Sequence, residues 1–373
     1  MRIHAILTLL ACIACGGDAR GPIAPPSPPV ETQAARDSTF VAVVRAQLNG
    51  ATQAEQFSGA VLVTRDGQTL FEGAYGFADR ERNVPNTLNT QFRVGSMNKM
   101  LTAVAAMQLV QAGTLRLEGA LGTYIPDYPN ADVASKVTIH HLLTHTGGTG
   151  DIFGPAFNAN RLELRTTGDY IELYGTRNLQ FQPGAMFSYS NYGFMLLGAI
   201  IERVAGKSYY EHVAERIHAP AQMTATGSAP EDSLVAGRSV GYMRQGGSVL
   251  LSNAPTLPYR GTPAGGGYSS VGDLARFAVA LREHKLLDQA HTSLLLGGKI
   301  PVFPGEQYAY GFVDRIVGSR RFVGHGGGAA GMNGDLMFEP TGGYVVVVLS
   351  NFDPPAATQV SSFILQRLPA TAK

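Results

Sequence analysis

Ser96 and Lys99 are residues whose types and spacing suggest chemistry. Residues three apart share one face of a helical turn, so an amine at Lys99 can influence a hydroxyl at Ser96. A serine hydroxyl is a poor nucleophile until a neighbouring base removes its proton, and the free N–H groups at a helix start favour a developing oxyanion. The pair predicts nucleophilic catalysis at Ser96. The alternative is a serine that caps a helix beside an exposed lysine.

Two further segments carry groups that could complete such a site. Tyr189 and Asn191 follow the turn at residues 182–184 and precede an apolar run that begins near Phe194, so we expect them on a loop that enters a helix. His325 ends a predicted strand, and three glycines follow it. Consecutive glycines let a backbone approach a ligand closely and present its N–H groups.

The elements that would position these groups can also be predicted. Downstream of Ser96, apolar residues from Met97 to Val110 cover nearly every side of a helix that Gly113 ends, which is typical of a buried helix. Strand-like runs occupy residues 58–64, 69–77, 308–317, 321–325, 336–339 and 344–349, with turn residues between successive pairs. Residues from about 100 to 300 read mostly as helices and loops.

The two ends of the chain are expected to pack on one antiparallel sheet. An amphipathic helix is predicted after the cap candidates Asp37 and Ser38, and a second one near the C-terminus. Their apolar faces consist of Phe40, Val43, Val44 and Leu48 and of Val360, Phe363, Ile364 and Leu368, respectively. The predicted fold class is α/β in the α+β sense, with an inserted, mainly helical region.

The first 36 residues read as separate from this domain, which we place at residues 37–370. Residues 1–15 combine Arg2 with a short apolar run, a secretory signal pattern, and residues 16–36 are a Pro-rich tether. The segment around Cys15 resembles a bacterial lipoprotein box, which implies lipid attachment at Cys15; the alternative is an ordinary cleaved signal. We therefore expect an extracytoplasmic protein of the periplasm or cell envelope, anchored by lipid.

Composition narrows the function classes. Lys and Arg total 29 against 28 Asp and Glu, so no strong field would recruit nucleic acid or an acidic membrane surface. Both cysteines, Cys12 and Cys15, precede the predicted domain, so a disulfide or cysteine-ligated metal site within it is excluded. We expect no cofactor, no metal and a small-molecule partner.

Taken together, these motifs resemble the serine β-lactamase and penicillin-binding protein superfamily, in the branch of class C β-lactamases, D-alanyl-D-alanine carboxypeptidases, D-aminopeptidases and esterases. The resemblance spans residues from about 40 to 368 and includes 138–148 and 261–277. It implies that Ser96 is the acylated nucleophile, Lys99 its proton partner and Tyr189 the general base. It further implies that Asn191 and Gly327 contact substrate and that the N–H groups of Ser96 and Gly328 form the oxyanion hole.

Two questions of role stay open at this point. A tyrosine base would need its pKa lowered from about 10 by the Lys99 ammonium, and the opposite assignment makes neutral Lys99 the base and Tyr189 a hydrogen-bond donor. At the third motif the superfamily often carries lysine, and this chain carries His325. A mostly neutral imidazole weakens carboxylate recognition and favours a small ester or amide. His325 is either a substrate contact or a structural group with a fixed tautomer.

Competing sites are weaker. Residues 237–241 match the nucleophile elbow G-x-S-x-G around Ser239, but no buried strand precedes it and no apolar helix follows. His140, His141 and His145 suggest zinc, with His141 and His145 four apart on an expected helix, but the glutamate of the H-E-x-x-H pattern is missing. The predicted function is a serine hydrolase that forms an acyl-enzyme on Ser96. The alternative is a penicillin-binding-like lipoprotein that binds or is acylated without turnover.

Overall fold

An eight-stranded antiparallel sheet organises the chain in the computed structural model, which describes residues 32–247 and 249–370. The strand order is β2-β1-β14-β13-β12-β11-β10-β9, and three two-stranded sheets accompany it. The strands are β1 Gly59–Arg65, β2 Gln68–Tyr75, β3 Phe77–Asp79, β4 Val84–Pro85, β5 Phe92–Arg93, β6 Tyr242–Gln245, β7 Val249–Ser252, β8 Tyr268–Ser269, β9 Ile300–Phe303, β10 Glu306–Tyr308, β11 Val313–Val317, β12 Arg320–Ala329, β13 Met332–Phe338 and β14 Tyr344–Ser350.

Most helices lie between β5 and β9, as the sequence predicts for the inserted region. The helices are α1 Gln33–Gln53, α2 Asn98–Gln111, α3 Leu121–Tyr124, α4 Ala131–Lys136, α5 Ile139–Leu143, α6 Pro155–Asn160, α7 Thr167–Tyr174, α8 Asn191–Ala205, α9 Tyr209–Val213, α10 Val271–Arg282, α11 Gln289–Leu296 and α12 Ala356–Leu365. Among the described residues, no helix is both long enough and apolar enough to span a bilayer.

Local sequence explains the centre of the sheet. β14 is an apolar, β-branched run whose seven residues are all buried, as expected for a strand covered on both faces. It pairs with β1 and β13. β1 turns into β2 through Asp66 and Gly67, both with positive φ, which is the geometry of a two-residue hairpin. The predicted hairpins of β1 with β2 and β13 with β14 are confirmed.

The sheet has a hydrophobic core on each face. The smaller one, called here the outer core, packs α1 and α12 against the sheet through residues such as Phe40, Val44, Leu48 and Ile364. The larger one, called here the inner core, lies between the sheet and the helical region and includes most of α2 and α8. The expectation that both chain ends cover one sheet is confirmed, and the candidate site lies on the inner-core side.

Several predicted boundaries are wrong. α1 begins at Gln33 with Thr32 as its cap, so the last four residues of the predicted tether are helical and Asp37 lies inside the helix. The predicted strand 308–317 is two strands, β10 and β11, separated by a turn. β12 continues past His325 to Ala329, because the glycines stay paired with β13. The signal segment, Cys15 and the rest of the tether lie outside the described residues.

Candidate active site

The turn that carries Ser96 is shaped by a glycine. Gly95 has φ of +54°, a conformation that other residues adopt only with strain, and a 3₁₀ turn over Gly95–Met97 leads into α2. The Gly266 N–H donates to the Gly95 carbonyl at 3.0 Å, so the segment that follows Ala264 holds this turn. No side chain caps either helical segment. The alternative in which Ser96 caps a helix is therefore wrong.

Lys99 is fully buried, with 0% of its surface exposed, which overturns the alternative of an exposed lysine. Its Nζ lies 3.3 Å from Ser96 Oγ and 2.7 Å from Asn191 Oδ1, and it also donates to the Ala264 carbonyl. Burial lowers the pKa of Lys99 to about 7, and the nearby charge of Asp151 opposes that shift. A base with this pKa and this contact can accept the Ser96 proton at neutral pH.

Asn191 begins α8, where Ser190 is the helix cap. Its side-chain oxygen accepts from Lys99, and its own N–H groups donate to Asp151, from the backbone at 3.1 Å and from Nδ2 at 3.2 Å. Asp151 thereby fixes the direction of the Asn191 amide. The sequence did not identify Asp151, which lies in an irregular segment with no motif of its own.

Tyr189 lies beside both Ser96 and Lys99, as predicted. Lys99 Nζ is 4.7 Å from the centre of the Tyr189 ring, and the phenol is hydrogen-bonded to Ser96. Although 37% of Tyr189 is exposed, its hydroxyl is hydrogen-bonded to Ser96, so the polar end of the side chain is the desolvated part. Burial raises the pKa of Tyr189 above its ordinary value, and the bond to Ser96 only partly offsets this. The lowered pKa that a tyrosine base would need is therefore not found, because burial is the largest cause of the shift and acts in the opposite direction.

The glycines at the end of β12 lie against the Ser96 turn along the free edge of that strand. β11 pairs with β12 only as far as Gly324, so the rest of that edge faces residues 94–96. A Cβ on Gly327 would lie 2.0 Å from the Val94 carbonyl oxygen, and a Cβ on Gly95 would lie 3.0 Å from Gly328 N. The backbone N–H groups of Ser96 and Gly328 therefore belong to one small region. Their role as oxyanion donors, and Gly327 as a substrate contact, stay predictions.

His325 is buried and ends a hydrogen-bonded chain that starts at the Ser190 backbone. The Ser190 N–H donates to His145 Nδ1 at 3.1 Å, which leaves the proton of this neutral imidazole on Nε2 to donate to the Tyr308 oxygen at 3.0 Å. The Tyr308 hydroxyl then donates to His325 Nε2 at 3.1 Å, and His325 Nδ1 donates to the Gly326 carbonyl. We call this the His145–Tyr308–His325 chain.

Burial keeps the imidazoles of this chain neutral. It lowers the pKa of His325 to about 4 and that of His145 well below its ordinary value, with Lys99 adding to both shifts. The His145 ring also packs on Tyr189, with ring centres 4.2 Å apart. Both nitrogens of His325 are occupied, an arrangement that fixes its tautomer. A direct substrate contact by His325 stays a prediction.

The competing sites are not assembled. α5 ends at Leu143, so His141 and His145 do not share a helix, contrary to the sequence expectation. His140 Nδ1 contacts the Tyr310 hydroxyl at 2.8 Å, and His141 Nδ1 accepts from the Thr138 backbone. Within residues 32–247 and 249–370, no three His, Cys, Asp or Glu side chains cluster as metal ligands. Ser239 is buried on an irregular segment that leads into no helix.

Comparison with known proteins identifies the family of the chain. The sequence model of the family described as Beta-lactamase matches residues 42–370. The chain belongs to the Beta-lactamase family. The chain is 30% identical over 314 residues to a protein of Bacillus subtilis (strain 168) named as penicillin-binding protein PbpX. This match covers 84% of this chain and 75% of PbpX.

Solved structures extend the likeness to the fold. A penicillin-binding protein from Bacillus halodurans is similar with a TM-score of 0.78 and 30% identity, covering 85% of this chain and 98% of that one. A D-stereospecific amidohydrolase from Streptomyces sp. has a TM-score of 0.72 and 26% identity, covering 88% and 99%. The Beta-lactamase family fold, an antiparallel sheet with helices on both sides, is the fold of this chain, as the motifs predicted.

Proposed function

We propose that the chain is a serine hydrolase that forms an acyl-enzyme on Ser96 and hydrolyses a small ester or amide. The observation that carries the proposal is the buried Lys99 amine, which contacts Ser96 Oγ and has a pKa of about 7. Membership of the Beta-lactamase family and the likeness to an amidohydrolase support a hydrolase. A purely binding protein has no need for an activated serine.

In the proposed reaction Lys99 is the base and Tyr189 the hydrogen-bond donor, which is the second of the two assignments that the sequence left open. Neutral Lys99 removes the Ser96 proton while Oγ attacks the carbonyl carbon, and the negative oxygen is stabilised by the N–H groups of Ser96 and Gly328. Tyr189, protonated because burial raises its pKa, then gives a proton to the leaving group as the carbonyl re-forms. Tyr189 regains that proton from the Lys99 ammonium.

Water completes the cycle. Neutral Lys99 removes a proton from a water molecule, whose oxygen attacks the acyl carbon. As the bond between the acyl carbon and Ser96 Oγ breaks, the Lys99 ammonium returns a proton to Oγ, which releases the acid and restores the Ser96 hydroxyl and the neutral amine. Asn191 and Asp151 keep the Lys99 amine aimed at Ser96 throughout. No step calls for a cofactor.

Covalent labelling tests the proposal. Intact-mass spectrometry after incubation with a fluorophosphonate should show one adduct that is absent from Ser96→Ala, and nitrophenyl esters should turn over. Lys99→Ala and Tyr189→Phe should each reduce turnover by orders of magnitude. A folded protein with no adduct on Ser96 would refute the proposal.

The penicillin-binding relatives favour a second candidate, a lipoprotein that binds or is acylated by cell-wall peptides or β-lactams without turnover. A penicillin adduct on Ser96 that persists for hours, with no ester hydrolysis, would select it. Attachment to the cell envelope through a lipid on Cys15 is a further proposal. Metabolic labelling with a fatty-acid probe, lost in Cys15→Ala, would test it.

A further inference from the structure

An open cleft of about 140 Å³ leads to Ser96, and a space of this size holds a small apolar group such as a benzene ring. Ser96, Asn191 and Gly328 contribute to its wall, whereas Tyr189 does not. A leaving group must depart toward the group that protonates it. Because the cleft omits Tyr189 but includes the proposed oxyanion donors, it lies on the acyl side of the scissile bond.

The wall of this cleft is apolar and uncharged. Ile152, Phe157 and Leu257 are buried in it, and Phe153, 62% exposed, lies at its open side with its ring 5.0 Å from that of Phe157. None of the lining residues carries a charge. A carboxylate entering such a wall would lose its hydration without gaining a cation.

Two groups beside Ser96 that could carry a positive charge, Lys99 and His325, are engaged within the protein. Lys99 is fully buried, donates to Asn191 and Ala264, and contacts Ser96 Oγ. His325 is buried and neutral, with both nitrogens bonded within the protein. The cleft therefore selects against anionic acyl groups.

One polar group in the wall has no partner. Tyr170, on α7, is 1% exposed and lines the cleft, and no hydrogen bond to its hydroxyl is present among the described residues. Buried hydroxyl groups are nearly always hydrogen-bonded, and this one, whose oxygen is itself shielded from solvent, lacks the partner that a bound ligand would supply. A phenol with its proton in place donates, and its complement is a neutral acceptor such as a carbonyl or ether oxygen.

We propose that Ser96 acts on neutral esters or amides whose acyl group is apolar and longer than acetyl, and that Tyr170 donates to an acceptor oxygen on that acyl group. This inference rests on the proposed function and names its substrate class. Three observations support this proposal: the position of the cleft, the absence of charge in its wall and the unpartnered Tyr170 hydroxyl.

Four nitrophenyl esters with the same leaving group test the class: acetate, butyrate, hexanoate and the half-ester of succinate. A fully buried methylene contributes about fourfold, so kcat/KM should rise at least about tenfold from acetate to hexanoate. The anionic hemisuccinate should fall at least about tenfold below butyrate. Acetate turning over as fast as hexanoate, or hemisuccinate as fast as butyrate, would overturn the substrate class.

Substitutions test the apolar contact of Phe153 and the donor role of Tyr170 separately. Phe153→Ala should lower kcat/KM for hexanoate more than that for acetate, whereas Phe303→Ala, which removes a 68% exposed phenylalanine from β9 outside the cleft, should change neither. Equal loss on both esters would show that Phe153 does not contact the acyl chain.

Tyr170→Phe tests the donor. The nitrophenyl ester of monomethyl succinate adds an acceptor carbonyl to a neutral chain, and in Tyr170→Phe its kcat/KM should fall about five- to tenfold more than that of hexanoate. Tyr344→Phe, which removes a buried hydroxyl bonded to the Pro369 carbonyl in the outer core, should have no such selective effect. Equal changes on both esters would overturn the donor role.

The outcomes separate this inference from the function it rests on. A Ser96 adduct with ester turnover but no acyl preference refutes the inference alone. The absence of both adduct and turnover in folded protein refutes the proposed function, and the inference falls with it.

Discussion

At the scale of single residues, burial decides which side chain holds a proton. It lowers the pKa of Lys99 to about 7 and raises that of Tyr189, so near neutral pH about half of the Lys99 amines are neutral and the phenol keeps its proton. Sequence shows that the two residue types are present but not how far each is desolvated. The choice of base therefore depends on the structure.

The first prediction concerns the pH dependence of turnover. The active form has neutral Lys99, so kcat/KM for a neutral ester should rise with pH through an apparent pKa near 7 and fall about tenfold per pH unit below it. Lys99→Arg, permanently charged, should be inactive at every pH. A wild-type rate that stays flat down to pH 5 would contradict the assignment of Lys99 as base.

The second prediction uses Asp151, whose negative charge raises the pKa of Lys99. Asp151→Asn removes that charge while an oxygen remains to accept from Asn191. The pKa of Lys99 should fall, so the acid limb of the pH profile, the part where kcat/KM rises with pH, should move to lower pH. The measurement is the same pH profile. Glu163→Gln, an exposed acidic residue outside the Lys99 contacts, is the matched control and should leave the profile in place. Movement of the limb to higher pH in Asp151→Asn would contradict the electrostatic argument.

At the scale of elements, the three glycines that follow His325 in β12 do not have the same role. The sequence motif alone does not show which of them approaches the Ser96 turn. The sequence predicted a strand ending at His325, because three glycines weaken a strand pattern. The strand continues to Ala329 because pairing with β13 persists and because the Ser96 turn occupies the space where side chains would lie. That close approach is a tertiary contact, which no local pattern predicts.

The third prediction compares two adjacent glycines. Gly327→Ala places a Cβ 2.0 Å from the Val94 carbonyl oxygen, so the Ser96 turn must shift, and we expect about 1–3 kcal/mol of destabilisation and a loss of turnover by orders of magnitude. Gly326→Ala is the control, since its Cβ would lie 3.4 Å from its nearest neighbour, Asp335 Oδ1. Urea unfolding and ester turnover measure both. Similar behaviour of the two variants would contradict the steric argument.

The fourth prediction concerns the His145–Tyr308–His325 chain. Tyr308→Phe leaves His145 Nε2 and His325 Nε2 without their shared partner, so unfolding free energy should fall by about 1–3 kcal/mol for each buried group. Turnover should fall too, because His145 packs on Tyr189. Tyr310→Phe removes one contact, to His140, and should cost less. Unchanged stability in Tyr308→Phe would mean that the chain is not structurally coupled.

At the scale of the whole molecule, the sequence predicted the architecture and the main residues of the site. It did not predict all of the hydrogen bonds that hold those residues. The outer helices, the central hairpins and the buried α2 follow from apolar periodicity and turn residues, which act locally. The meeting of Ser96, Lys99, Tyr189 and Asn191 followed from the resemblance to a family. Asp151 and the Ala264 carbonyl were missed, because neither an isolated acid nor a backbone carbonyl carries a spacing signal.

The last prediction is that a change in the outer core lowers stability without affecting the Ser96 site. The outer core packs α1 on the face of the sheet opposite the site, so Leu48→Ala should lower unfolding free energy by about 2–5 kcal/mol. The rate of Ser96 labelling by a fluorophosphonate, measured well below the melting temperature, should stay the same, because the inner core still holds α2. Val43, which the sequence analysis placed on the apolar face of α1, is 41% exposed, so Val43→Ala should change stability by less than about 0.5 kcal/mol. If Leu48→Ala slowed labelling in the folded protein, the sheet would transmit strain between its faces and the two cores would not act as separate units.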